Sequence, residues 1–178
     1  RQRQMCIRDR VDALREDTDL VSLSIGGNDA SFVRLTQCAT DDICQAESGP
    51  QIDLEIRDLP RRLDKVYKEI HRRSPAAKVL ATGYLPLIKR GETCPYIEKI
   101  PASDREWLAR SIERINQAVR EAAERNGAIY VLADAALDHT ACSPSPWVDF
   151  TGQETNSFPM HPTHAGQRAM ADALRAAL

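Results

Sequence analysis

Three short runs of strand character alternate with longer helical patterns, and this alternation constrains the fold more than any other feature of the chain. The runs are residues 20–25, 78–83 and 128–132. In the first, Val21, Leu23 and Ile25 alternate with Ser22 and Ser24, the period of two expected of a strand. Strands separated by helices form a parallel sheet covered on both faces. No internal repeat, low-complexity segment or linker divides the chain. The expectation is one α/β domain.

The helical patterns carry their own punctuation. Ile52, Ile56, Leu59, Leu63, Val66 and Ile70 step by four and three along one face. Pro60 interrupts that stripe and predicts a kink, or the start of a second half. His71 and Arg72 suit the negative pole at its end. Ser103-Asp104-Arg105-Glu106 matches a capping box, followed by a stripe of Leu108, Ile112, Ile115 and Val119 and a stop at Asn126-Gly127. A last helix is predicted from His164 to the C-terminus. Thr163 would be its N-cap, and Ala165, Ala169, Met170, Ala173 and Leu174 its small apolar face. Residues 85–101 and 134–159 lack periodicity, as binding loops often do.

Bulk properties narrow the partners. The 178 residues carry 24 Lys and Arg against 26 Asp and Glu, a net charge of −2. That balance points to neither nucleic acid nor an anionic membrane surface. The 42% hydrophobic share is that of a globular chain with a sizeable core. No apolar run approaches the length of a membrane span, so stable membrane insertion is not expected.

Residues 1–10, RQRQMCIRDR, resemble a translated sequencing-adapter remnant and are expected to be a non-native leader. The natural domain would then occupy residues 11–178, incomplete at its N-terminus. Four cysteines remain, Cys38, Cys44, Cys94 and Cys142, which allow three pairings. Cys38 and Cys44 bound a short polar loop suited to a local staple. All four lie in polar loops, which favours disulfides and an oxidising compartment over buried thiols. No Cys-x-x-Cys pair is present, which argues against zinc.

Two clusters carry candidate chemistry. Gly26-Gly27-Asn28-Asp29 follows the first strand run directly and leads into a predicted helix at residues 29–35. In open α/β sheets, ligands bind at that end of the strands. Gly26 and Gly27 allow a sharp turn, room for substrate and a backbone N–H. Asn28 is placed either to cap the helix or to donate its amide to a developing oxyanion, a contact worth about 3–4 kcal/mol of barrier. Near the other end, His161 precedes Pro162, which keeps it out of a helix and on a loop. A histidine so placed either packs locally or serves as general base and acid, and the glycine turn favours the second. His164 reads as a helix-start residue, and a metal site on the two histidines lacks a third ligand nearby.

Together the two clusters resemble the SGNH subfamily of GDSL-type esterases and lipases. Ser24-Ile25-Gly26-Gly27-Asn28-Asp29 matches that family's third block, and His161-Pro162-Thr163-His164-Ala165-Gly166 its fifth. Thr82-Gly83-Tyr84-Leu85-Pro86-Leu87 and Cys142-Ser143-Pro144-Ser145-Pro146-Trp147-Val148 look like the secreted bacterial branch. The resemblance implies a flavodoxin-like three-layer α/β/α fold, with Cys38 paired to Cys44 and Cys94 to Cys142. It implies a secreted hydrolase of small-molecule or lipid esters, with Asn28 as oxyanion donor, His161 as base and no metal or organic cofactor.

Three departures stand out. The nucleophile block Gly-Asp-Ser is absent, as is the second block with its oxyanion glycine. Truncation would account for both, would remove the first strand of the sheet, and would leave the fragment inactive with an open edge. Phe158 stands where the family often has an Asp, so its main-chain carbonyl is the candidate for orienting His161. Asp149 and Glu154 lack the family spacing for that role. Thr163 replaces the usual Asn. Ser24 and Ser157 fit poorly as replacement nucleophiles. Two other classes compete: a non-catalytic carbohydrate- or lipid-binding module on the same scaffold, and a nucleotide-binding Rossmann domain. The second lacks Gly-x-Gly-x-x-Gly and sets Asp29 where phosphate is expected.

Overall fold

Each of the three strand runs forms a strand, and each ends a residue or more before its sequence pattern does. In a computed structural model that describes residues 11–37, 44–156 and 159–178, these strands are β1 (Leu20–Leu23), β2 (Lys78–Thr82) and β3 (Ile129–Val131). They pair in parallel in the order β1-β2-β3, with Val21 opposite Val79 and Ala81 opposite Tyr130. The pattern runs on because the residues beyond each strand are still apolar or small while the chain already turns. Gly83 prolongs the ladder by one bond, donating to the Val131 carbonyl at 2.9 Å.

β2 is the buried centre. Val79, Leu80, Ala81 and Thr82 are all at most 8% exposed, so both faces of the strand are covered. The helices are α1 (Phe32–Gln37), α2 (Cys44–Arg73), α3 (Ala102–Arg125) and α4 (His164–Ala176). Both α3 and α4 contact β2 and β3. Among the described residues β1 pairs with β2 alone, and Leu20 on it is 43% exposed.

Most of the core lies between α2 and α3. Ile52, Ile56, Leu59, Leu63 and Ile70 face Leu108, Ile112, Ile115 and Val119, all at most 3% exposed. Burying each such side chain contributes about 1.5–3 kcal/mol. Val66 packs half-buried against this core, and Tyr67 beside it is buried deeper, at 1% exposure. Arg125 and Asp64 pair at 2.9 Å across the edge of this seam, and Arg114 pairs with Asp53. Both pairs are too exposed to add much.

Several local expectations are corrected. Pro60 does not start a second half, since α2 is continuous through Pro50 and Pro60. A proline costs one helix hydrogen bond and crowds the turn before it. The buried stripe on either side of Pro60 holds the helix together across that defect. The capping box at Ser103 does not form. Pro101, whose ring fixes φ, stands at the N-cap without a side-chain bond, and Glu106 instead accepts from the Gly91 N–H at 2.5 Å. The predicted helix at residues 29–35 is two pieces, a 3-10 turn (Asn28–Ala30) and α1, separated by Ser31 at φ +53°. The α4 start is as expected, with the Thr163 hydroxyl accepting from the Gly166 N–H at 3.1 Å.

One disulfide is described, Cys94–Cys142, with Cα atoms 5.6 Å apart. The Cys38–Cys44 pairing falls outside the described residues.

Candidate active site

The glycine turn leaves the carboxyl end of β1 and is held from several directions. Gly26 takes φ +106°, which a side chain would resist, and its carbonyl accepts from the Ala30 N–H at 2.9 Å. The Gly27 carbonyl accepts from the Phe32 N–H at 2.8 Å. From α2, Arg62 donates to the Asp29 carbonyl at 3.2 Å, and Glu55 accepts from the Ser31 hydroxyl. From the loop after β2, the Tyr84 hydroxyl accepts the Gly27 N–H at 2.7 Å. Gly26 and Gly27 are buried, while Asn28 is exposed at the surface of the turn.

His161 is not a loop residue. It lies in a two-residue strand, β5 (His161–Pro162), paired antiparallel with β4 (Val148–Asp149). Asp149 is its register partner, and the Asp149 carbonyl accepts from the Met160 N–H at 2.6 Å. Pro162 allows this because extended backbone is what a residue before proline prefers. Met160 holds φ +64°, an uncommon conformation for a side chain of its size, directly before the histidine. The imidazole is exposed, and its Nδ1 lies 3.1 Å from the Pro159 carbonyl oxygen. Phe158, the expected source of that carbonyl, lies outside the described residues.

Beyond His161, the chain is clamped to residues 146–147. The Thr163 N–H donates to the Trp147 carbonyl at 2.9 Å, and the Thr163 hydroxyl to the Pro146 carbonyl at 3.0 Å. Gly166 has no room for a side chain, since a methyl there would lie 2.2 Å from the Trp147 carbonyl oxygen and 2.9 Å from Leu85.

Asp149 and Glu154 serve different ends. Glu154 is exposed. Asp149 is 4% exposed, and its carboxylate accepts from the N–H groups of Thr151, Gly152 and Thr155 at 2.8–3.1 Å. The hydroxyls of Thr151 and Thr155 add two more bonds. Burial works against its ionisation, but these donors outweigh it and hold its pKa below the ordinary carboxyl range. Asp149 thus organises the loop that leads to His161.

The two sequence clusters meet through consecutive residues. Tyr84 reaches the glycine turn, and Leu85 packs on the first turn of α4. Both follow the carboxyl end of β2, so the Asn28 turn and the His161 segment gather at the same edge of the sheet. Sequence reasoning missed Tyr84 and the residue that holds it, Asn116. Asn116 has a signal in hindsight, a polar residue four after Ile112 and three before Val119 on the buried stripe of α3.

The sequence and the fold are similar to those of known proteins. The GDSL-like Lipase/Acylhydrolase family profile matches residues 2–169, and the chain belongs to that family. It is 34% identical to Lipase 2 of Streptomyces coelicolor over 92% of its own length, and 34% identical to a lipase of Streptomyces rimosus over 84%. The chain spans 61% and 56% of those two proteins. Its fold is similar to the crystal structure of the extracellular lipase from Streptomyces rimosus, with TM-score 0.82 and 28% identity, covering 93% of this chain and 71% of that one. It is also similar to phospholipase A1 from Streptomyces albidoflavus, with TM-score 0.84 and 28% identity, covering 97% and 75%. The α/β fold with a parallel sheet is therefore that of the SGNH lipases. Among the described residues no helix is long and apolar enough to cross a membrane.

Proposed function

We propose that the protein is an extracellular carboxylic ester hydrolase whose nucleophilic serine lies N-terminal to residues 11–178. Its substrate class is small-molecule or lipid esters. The observation that carries this reading is the meeting of the Asn28 turn and the His161 segment through Tyr84 and Leu85. Family membership and the lipase relatives support it. The Cys94–Cys142 disulfide suits an oxidising compartment.

The chemistry follows from the groups present. The serine oxygen attacks the ester carbonyl while its proton passes to Nε2 of His161. The oxyanion so formed accepts a hydrogen bond from the Asn28 side-chain amide. His161 returns the proton to the departing alkoxide, leaving an acyl-enzyme. Water then gives a proton to Nε2 and attacks the acyl carbon; the bond to the serine oxygen breaks as that oxygen takes the proton back from Nε2, and the carboxylic acid is released. This cycle needs Nδ1 to carry a proton and donate to a main-chain carbonyl. The 3.1 Å contact with Pro159 supports such an orienting group, the role the resemblance gives to Phe158.

Steady-state kinetics on the full-length protein test these roles with p-nitrophenyl acetate. Asn28→Ala should lower kcat about 100- to 1000-fold with little change in KM. His161→Ala should nearly abolish turnover. Parental kcat in either variant overturns the role of that residue.

A further inference from the structure

The Gly27 N–H is a backbone donor at the centre of the glycine turn, one residue before Asn28. It is already engaged, by the Tyr84 hydroxyl at 2.7 Å. The tyrosine is held there at every point. Its ring stacks on Phe32, centroids 5.3 Å apart, at the start of the helix that follows the turn. Its N–H donates to Asn116 Oδ1 at 2.7 Å, and its carbonyl accepts from Asn116 Nδ2 at 2.8 Å. Gly27 itself fits this contact, since a methyl there would lie 2.8 Å from the Tyr84 hydroxyl oxygen.

These contacts form one chain, from Asn116 on α3 to the backbone of Tyr84 and from its hydroxyl to Gly27. A hydroxyl merely satisfying a turn needs neither a two-bond grip on its own backbone nor a glycine cut to its shape. Resting on the reading of Asn28 as oxyanion donor, we propose that Tyr84 is a positioning residue for the reaction. Its hydroxyl fixes the Gly26–Gly27 peptide, one unit before Asn28, and so aims the Asn28 amide at the oxyanion, with Asn116 setting the height of the tyrosine. The hydroxyl does not touch the reacting atoms, and Gly27 is not itself an oxyanion donor, because its N–H is spent on Tyr84.

The test compares Tyr84→Phe, Asn116→Ala and Asn28→Ala in the full-length enzyme, assayed with p-nitrophenyl acetate well below the thermal midpoint of each. A misplacement of about 1 Å costs up to roughly a hundredfold in rate. Tyr84→Phe should therefore lower kcat roughly 10- to 100-fold with KM within twofold, and Asn116→Ala, which keeps the phenol but releases the grip on its backbone, should lower it in the same direction. Hydrogen exchange at the Gly27 amide should accelerate in Tyr84→Phe, and the Asn28 side-chain amide signals should broaden. If Asn28→Ala lowers kcat while Tyr84→Phe keeps the parental value, this proposal fails and the oxyanion reading stands. If Asn28→Ala keeps the parental kcat, the oxyanion reading fails and takes this proposal with it. Should Tyr84→Phe not fold, parental kcat in Asn116→Ala overturns the proposal.

Discussion

Replacing Asp149 by asparagine removes one charge and one acceptor from the loop that carries His161. The amide oxygen of the new side chain can still serve the donors now on Oδ1, the N–H groups of Thr151 and Gly152. Its NH2 group, however, would face the Thr155 N–H, which now lies 2.8 Å from Oδ2. The Thr155 hydroxyl can rotate and accept, but the backbone donor cannot. A buried donor left without an acceptor costs about 1–3 kcal/mol. Losing the charge also weakens the surviving bonds, since bonds to an ion are roughly twice as strong as neutral ones. The sum is about 2–4 kcal/mol at pH 7. Urea unfolding of Asp149→Asn and the parent across pH 7 to 3 measures it. The folded pKa of Asp149 is lowered, so its contribution is present above the ordinary carboxyl range near pH 4 and is lost as pH falls through the folded value. The gap between the proteins should therefore narrow below about pH 4. Equal stability at pH 7, or a gap that acid leaves untouched, refutes the reasoning.

Two further predictions concern the neighbouring contacts. Gly166→Ala places a methyl 2.2 Å from the Trp147 carbonyl oxygen, so the start of α4 must move away from residues 146–147. Overpacking of that kind costs about 1–3 kcal/mol, read as a lower thermal midpoint, and parental stability would show that the clamp has slack. The Cys94–Cys142 bridge closes a span of 48 residues, which the chain-entropy account values at about 4 kcal/mol. Reduction followed by alkylation should lower the urea midpoint accordingly, and an unchanged midpoint would contradict that account.

The parallel sheet was legible because β1, β2 and β3 are short apolar runs set between amphipathic helices. The α2–α3 core was legible for the same reason, with residues at a spacing of three and four turning up fully buried. What sequence reasoning misjudged were places where a distant partner decides local structure. Glu106 looked like half of a capping box, but the Gly91 N–H claims it. Pro60 looked like a kink or the start of a second half, and α2 runs through it as one helix. His161 looked like a loop residue, but Val148 and Asp149, well back along the chain, pair with its strand. Tyr84 carries no local signal that its hydroxyl reaches Gly27, 57 residues earlier. The candidate site was readable as two motifs, while the residues that join them belong to tertiary structure alone.

The central claim is an activated serine outside residues 11–178 that works with His161. Labelling of the full-length protein with a fluorophosphonate probe, read by peptide mass spectrometry, tests it most directly. The account predicts one labelled serine, in a Gly-Asp-Ser sequence N-terminal to residue 11, and loss of labelling in His161→Ala. No labelled serine, or a label on Ser24 or Ser157, would contradict it.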